Sequence, residues 1–260
     1  MRIVVLASGS EGNSTYLEIN GKKFLLDCGR NAKYIKEKLK EIGVSFSEID
    51  GIFISHDHDD HISALKVLVK KDKPVIYLTS KMLDSLKYLK EYPNLYIYDD
   101  DFVIDDINIK TIHASHDSSD SRNFIVSNKD KKIVYLTDTG YLNRKYFRYL
   151  ENANYYLMES NHDIQMLLDG PYPMYLKQRI LGTLGHLSNK DSSFYLSKLI
   201  GDKTEKVVLM HLSRTNNTEE KALETFNNTM KEYDINFHNV MCANKDSITE
   251  VLNDQVALCR

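Results

Sequence analysis

Residues 52–61 read IFISHDHDDH. An apolar run ends at Ser55, three histidines and three aspartates follow at once, and a helix resumes at about Ile62. A strand-to-helix junction of this kind is stiff on both sides and aims several ligand-type side chains into one cleft. In an extended loop His56 and His58 share a face and can chelate one ion, while Asp60 and His61, at the start of the helix, reach a second. Imidazole suits zinc, and a carboxylate also admits manganese or iron. The plainer alternative is a solvated acidic loop with incidental histidines. It does not account for four ligands in one register directly after a buried strand.

The junction sits in a chain of mixed α/β character. Strand-length apolar runs recur at Ile3–Ala7, Tyr16–Ile19, Phe24–Leu26, Ile52–Ile54, Val75–Leu78, Leu95–Tyr98, Ile107–Ile112, Phe124–Val126, Ile133–Leu136, Tyr155–Met158, Val207–Met210 and Phe237–Met241. Asn20-Gly21 between the second and third runs predicts a tight hairpin, because both residues accept positive φ. Helical spacing predicts helices over Lys33–Ile42, Ile62–Val69, Ser80–Lys90, Asn143–Leu150, Ser188–Ile200 and Thr218–Tyr233. No stretch is rich enough in Gly, Pro or Ser to serve as a linker and no repeat is visible, so residues 1–260 are read as one domain.

Composition narrows the setting. Cys28, Cys242 and Cys259 are odd in number and far apart, which gives no disulfide framework and implies reduced thiols. The N-terminal apolar run is too short for a signal-peptide core and no later run approaches a membrane span, so a cytoplasmic protein with no membrane partner is expected. The net charge of −3 argues against coating a polyanion but leaves room for a local basic channel. Basic residues do cluster, at Lys66-Lys70-Lys71-Lys73, at Arg144-Lys145-Arg148 and at Lys177-Arg179, where Tyr172 and Tyr175 stand close in sequence. Such runs are mostly solvated helix faces.

The register HxHxDH resembles the signature of the metallo-β-lactamase superfamily, with every signature position filled. The resemblance implies a four-layered αβ/βα sandwich and ligands further along the chain. His116 in HASHD matches the third ligand of the first metal, Asp138 in IVYLTDTG the bridging aspartate, and His211 in VVLMHLS the last ligand of the second metal. His113, which falls three residues before His116, and His238, which has no motif around it, are set aside as structural. The segments LASGSEGNSTYLE, ESNHD, GPYPMYLKQRI, GHLSN and HLSRTNNT are similar to the YycJ/WalJ family, which is associated with 5′→3′ exonuclease activity on DNA. More distantly the chain resembles tRNase Z and small phosphodiesterases, and it lacks the long helical insertion of the β-CASP nucleases.

The resemblance implies two divalent ions, zinc, manganese or iron, acting on a phosphodiester, with DNA the expected partner. His186 in GHLSN matches the general-acid histidine of tRNase Z, a group that simple lactamases do not need. The chemical step is accordingly assigned to His186, Asp60 and Asp138. Ser10, Asn13, His162, Arg214, Asn216 and Asn217 are candidate substrate contacts, since each lies in a motif or follows a ligand closely. The glycine-rich loop holding Ser10 and Asn13 runs into a strand and so is no P-loop. Two rival readings are a small-molecule hydrolase on the same metals, for a cyclic nucleotide, thioester or lactam, and a non-catalytic regulatory partner that keeps the fold. The intact ligand set argues against the second, and His58, where flavodiiron proteins usually carry glutamate, argues against a redox role.

Overall fold

The protein is described by a computed structural model in which residues 1–254 are defined, so Cys259 lies outside the described residues. The strands form two mixed seven-stranded sheets. The first takes its strands in the order β14 (Thr249–Asn253), β1 (Arg2–Ala7), β2 (Ser14–Ile19), β3 (Lys22–Leu26), β4 (Gly51–Phe53), β5 (Ile76–Leu78) and β6 (Leu95–Ile97). The second runs β13 (Val240–Cys242), β12 (Lys206–Met210), β11 (Tyr155–Glu159), β10 (Lys132–Leu136), β9 (Arg122–Ser127), β8 (Ile107–His113) and β7 (Phe102–Ile104). β3 to β6 are mutually parallel, as are β10 to β13, and the antiparallel β1–β2–β3 meander precedes the first parallel set.

Two compact units result, one of Met1–Asn108, Ser118–Arg122 and the described residues from Asn244, the other of Ile109–Asp117 and Asn123–Ala243. The first carries α1 (Ala32–Glu41), α2 (Asp59–Ile62), α3 (Leu65–Lys71) and α4 (Ser80–Ser85). The second carries α5 (Phe147–Leu150), α6 (Ile164–Asp169), α7 (Met174–Leu181), α8 (Asn189–Leu199) and α9 (Glu219–Glu232). Each unit has its own apolar core. Val4, Leu6, Leu25, Ile52 and Ile54 meet Ile35, Leu39 and Leu65 in one; Val134, Leu136, Tyr156, Met158 and Leu209 meet Leu196 and Phe226 in the other.

Local chemistry explains these elements. Asn20 and Gly21 take φ of 49° and 76°, the hairpin geometry that their side chains permit. Asn31 caps α1 by accepting from the Tyr34 amide, and Gly43 at φ 76° ends it. Ser188 and Thr218 cap α8 and α9 in the same manner.

The structure departs from the periodicity in several places. The helix expected from Ile62 begins at Asp59 and breaks after one turn, because its carbonyls are taken by other partners. Asp60 O accepts from the Asn13 amide (2.7 Å), His61 O from Cys28 (2.8 Å), and the Ala64 amide turns to Cys28 O (3.0 Å). The helices read over Ser80–Lys90 and Asn143–Leu150 are each an α turn joined to a tighter 3-10 turn. The strand placed at Phe237–Met241 starts only at Val240, since the chain leaves α9 through a left-handed Asp234 and a sharp turn. β7, β14, α6 and α7 lie where no element is predicted.

Gly29 shows how tightly the loop is stitched: an added Cβ would lie 1.6 Å from Asp60 O and 2.7 Å from the Asn13 amide, whereas at Gly43 it would meet nothing. Gly29→Ala is expected to lower stability by about 3 kcal/mol through forced backbone displacement, against about 1 kcal/mol of conformational strain for Gly43→Ala. Urea unfolding of the two variants beside wild type measures the difference.

Candidate metal centre

In the first unit β4 delivers the chain to Ser55 and the ligand-type residues follow. His56 and His61 are buried, and the His56 ring centroid lies 4.7 Å from that of His58 and 4.0 Å from that of His61. Asp60 stands beside them, its Oδ2 3.6 Å from His61 Nε2, with a quarter of its side chain exposed at 25%. Behind this group lies Asp27, fully buried at the end of β3. Its Oδ1 accepts from the Ser55 amide (2.8 Å), and its Oδ2 accepts from Ser55 Oγ (2.8 Å) and from His61 Nδ1 (2.7 Å).

This network fixes the tautomers. A carboxylate only accepts, so His61 carries its proton on Nδ1 and presents the lone pair of Nε2, toward which the Asn13 amide points at 3.0 Å. Ser55 Oγ donates to Asp27, and its lone pair faces His56 Nδ1 at 3.0 Å, which leaves His56 Nε2 as an acceptor too. Neutral imidazoles with Nε2 lone pairs beside a carboxylate are the donor set a divalent cation requires.

The second unit gathers its own group. His116, in the loop after β8, directs Nδ1 to the carbonyls of Leu184 (3.1 Å) and Gly185 (3.2 Å), which again fixes the proton there. Asp138 lies two residues beyond β10 and His211 one beyond β12, both with left-handed backbones at φ 51° and 56°. Glu159, buried at the end of β11, binds His186 Nδ1 (2.7 Å) and His211 Nδ1 (2.9 Å) through Oε1, and accepts from the Thr139 and Leu187 amides through Oε2. Ligand atoms of Asp138, Glu159, His186 and His211 all lie within 4.8 Å of one another.

Charge follows from this packing. Burial works against the Glu159 carboxylate, but the His186 charge and the hydrogen bonds from His186 and His211 hold its pKa below the ordinary range. Burial likewise opposes the His186 imidazolium, yet Glu159 and Asp138 outweigh it and raise the pKa. His186 keeps 21% of its side chain exposed, so it is both held and reachable.

The remaining candidates divide. Ser10 and Arg214 are exposed. Asn13 is buried and its Oδ1 accepts from Gly9, so its amide serves the loop and His61. Asn217 binds Ser160 O, Asn161 O, Asn189 Oδ1 and the Thr218 amide, which commits it to holding three segments together. Asn216 is buried with its Oδ1 lacking a hydrogen bond among the described residues. His162 is also buried and neither ring nitrogen has such a partner, and burial pushes its pKa down to about 4. His113 and His238 are exposed.

The reading by motif gives no role to Asp27 or to Glu159, although Glu159 opens the segment ESNHD. Their signal is a carboxylate at the C-terminal end of a buried strand, in LLDCG and YYLMES, the same one that marks Asp138.

Comparison with known proteins gives one consistent result. Residues 8–211 match the family described as the metallo-beta-lactamase superfamily. The chain is 38% identical to exodeoxyribonuclease WalJ of Streptococcus pneumoniae over 89% of its length and 88% of that protein. It is 32% identical to exodeoxyribonuclease YycJ of Bacillus anthracis over 88% of each. Among solved structures the metallo-beta-lactamase fold protein YhfI from Bacillus subtilis aligns with TM-score 0.71 at 15% identity, over 96% of this chain and 98% of that one. Among the described residues no helix is long and apolar enough to cross a membrane.

Asp27→Asn and Glu159→Gln remove the charge that fixes these tautomers, and each is expected to weaken divalent-metal affinity about 10- to 100-fold, read by chelator competition. His162 gives a pH test. Its folded pKa of about 4 lies below the ordinary 6.5, so the unfolded state takes up more protons and stability falls as pH drops through that window. Between pH 7 and pH 5 wild type should lose about 2 kcal/mol more than His162→Leu in urea unfolding.

Proposed function

Since this chain belongs to the metallo-β-lactamase superfamily, in the WalJ/YycJ group and with its α/β sandwich fold, we propose that it is a two-metal phosphodiesterase that degrades DNA from an end, 5′→3′. On this reading residues 1–260 act as one cytoplasmic catalytic domain, and His56, His58, Asp60, His61, His116, Asp138 and His211 hold two ions, zinc, manganese or iron. Bound ions supply a water acidified to react near neutral pH and a positive field for the phosphate charge.

The observation that carries the reading is His186 on Glu159. A thioester expels a thiolate that leaves without a dedicated acid, whereas a phosphodiester expels an alkoxide that calls for one. Glu159 orients His186 by Nδ1 at 2.7 Å and favours its protonated form, so Nε2–H is available to the departing oxygen. Asp60, partly exposed beside His61, is assigned the proton of the attacking water. Asp138, its Oδ1 3.3 Å from His186 Nδ1 and 3.4 Å from His211 Nδ1, adds to the field that keeps His186 charged. Exposed Ser10 and Arg214 are the candidate phosphate contacts at the surface. Buried His162, Asn13, Asn216 and Asn217 are assigned supporting roles, Asn13 toward His61 and Asn217 in tying Ser160 and Asn161 to Asn189.

The test uses 5′-phosphorylated oligonucleotides with the manganese- or zinc-loaded protein. Nucleotide release should vanish with chelator and return on adding metal. His186→Ala should retain metal and lower kcat about 10²- to 10⁴-fold, while His211→Ala should lose metal and activity together. Intact metal binding with untouched DNA would sink the nuclease assignment.

A further inference from the structure

Resting on the nuclease reading, we infer that an exposed apolar ledge over residues 164–184, joined by Tyr141, is a stacking platform for unpaired bases at a DNA end. The first observation is an inversion in α7. Its one buried residue is Lys177, 8% exposed, whose Nζ binds Leu168 O in α6, whereas Met174 and Tyr175 are 63% and 74% exposed. Leu168, Leu181 and Leu184 add exposures of 45%, 44% and 53%. A surface helix ordinarily buries such residues and displays its lysine, so folding of this unit does not explain the arrangement.

The ledge is continuous with the proposed acid. The carbonyls of Leu184 and Gly185 receive His116 Nδ1, and the His186 amide donates to Ile180 O at the end of α7. Gly140 lies against the same turn, where an added Cβ would be 2.3 Å from Thr183 O, and this brings Tyr141, 42% exposed, to its border.

Charge selects the occupant. From Ile164 to Lys190 the chain contains Lys177, Arg179 and Lys190 against the single acid Asp169, in a protein of net charge −3. An apolar surface whose segment carries more cations than acids, with an aromatic ring at its most exposed point, suits the faces of bases tethered to a polyanion. Bases inside a duplex have both faces covered, so the occupant is the unpaired terminal stretch of the strand being degraded.

The experiment uses metal-loaded protein, a 5′-phosphorylated single strand carrying 2-aminopurine near its 5′ end, the same strand with abasic sites there, and bis-p-nitrophenyl phosphate. Tyr175→Ala and Met174→Ala are expected to raise KM for the base-containing strand about tenfold and to abolish the fluorescence quenching. Hydrolysis of the small diester should be unchanged, and Tyr175→Phe should behave as wild type. On the abasic strand wild type and variants should be equal. Variants that match wild type on the base-containing strand overturn the ledge and leave the nuclease reading standing, as a protein-binding role for the surface would produce. A wild type that cleaves the small diester but no DNA overturns both.

Discussion

A buried carboxylate behind a histidine is the interaction on which the rest of this structure depends. An imidazole binds a cation with one nitrogen only when its proton is held on the other, and in water nothing fixes that choice. Asp27 and Glu159, both fully buried, fix it here for His61 and His211, and Glu159 also holds His186 by Nδ1. Burying an ionised carboxylate is costly unless each oxygen is met by donors. Asp27 is met by the amide and hydroxyl of Ser55, and Glu159 by the amides of Thr139 and Leu187. The loops must therefore close onto the strand ends before the histidines can be oriented, which makes the fold and the ligand geometry a single problem.

The backbone bears the mark of that demand. Asp27, Asp138 and His211 follow the ends of parallel strands and take φ of 62°, 51° and 56°, a region that costs a side-chain-bearing residue about 1–2 kcal/mol. The strain falls where the chain leaves the sheet and must turn a candidate ligand or its carboxylate support at once. α2 shows the same priority, because its carbonyls at Asp60 and His61 serve Asn13 and Cys28 in place of a longer helix. Regular structure ends early wherever the site needs its hydrogen bonds.

This explains what the sequence does and does not reveal. Strands such as Val207–Met210 and helices such as Thr218–Tyr233 are legible because one local pattern determines them. The break at Ser63 and Ala64 is invisible because it is caused by Cys28, far away in the chain. α7 is missed because its apolar residues face solvent and its lysine is buried, the reverse of what periodicity assumes. HxHxDH can be read because its residues are consecutive. Asp27 and Glu159 can be read only as isolated acids after buried strands until the histidines they hold are seen.

Surface charge adds a last constraint on how such a protein engages DNA. Several members of the basic runs are engaged within the protein. Lys66 lies over Tyr88, Lys110 and Arg148 both lie over Tyr149, Lys145 lies over Tyr146, and Arg179 is paired with Asp117 at 2.7 Å. With a net charge of −3, long-range attraction to a duplex flank is weak. On the nuclease reading, affinity then has to come from close contact, which means metal-bound phosphate at the scissile bond and stacked bases beside it. Both are met only where a strand terminates or frays, so a preference for ends follows from what the surface lacks as much as from what the site contains.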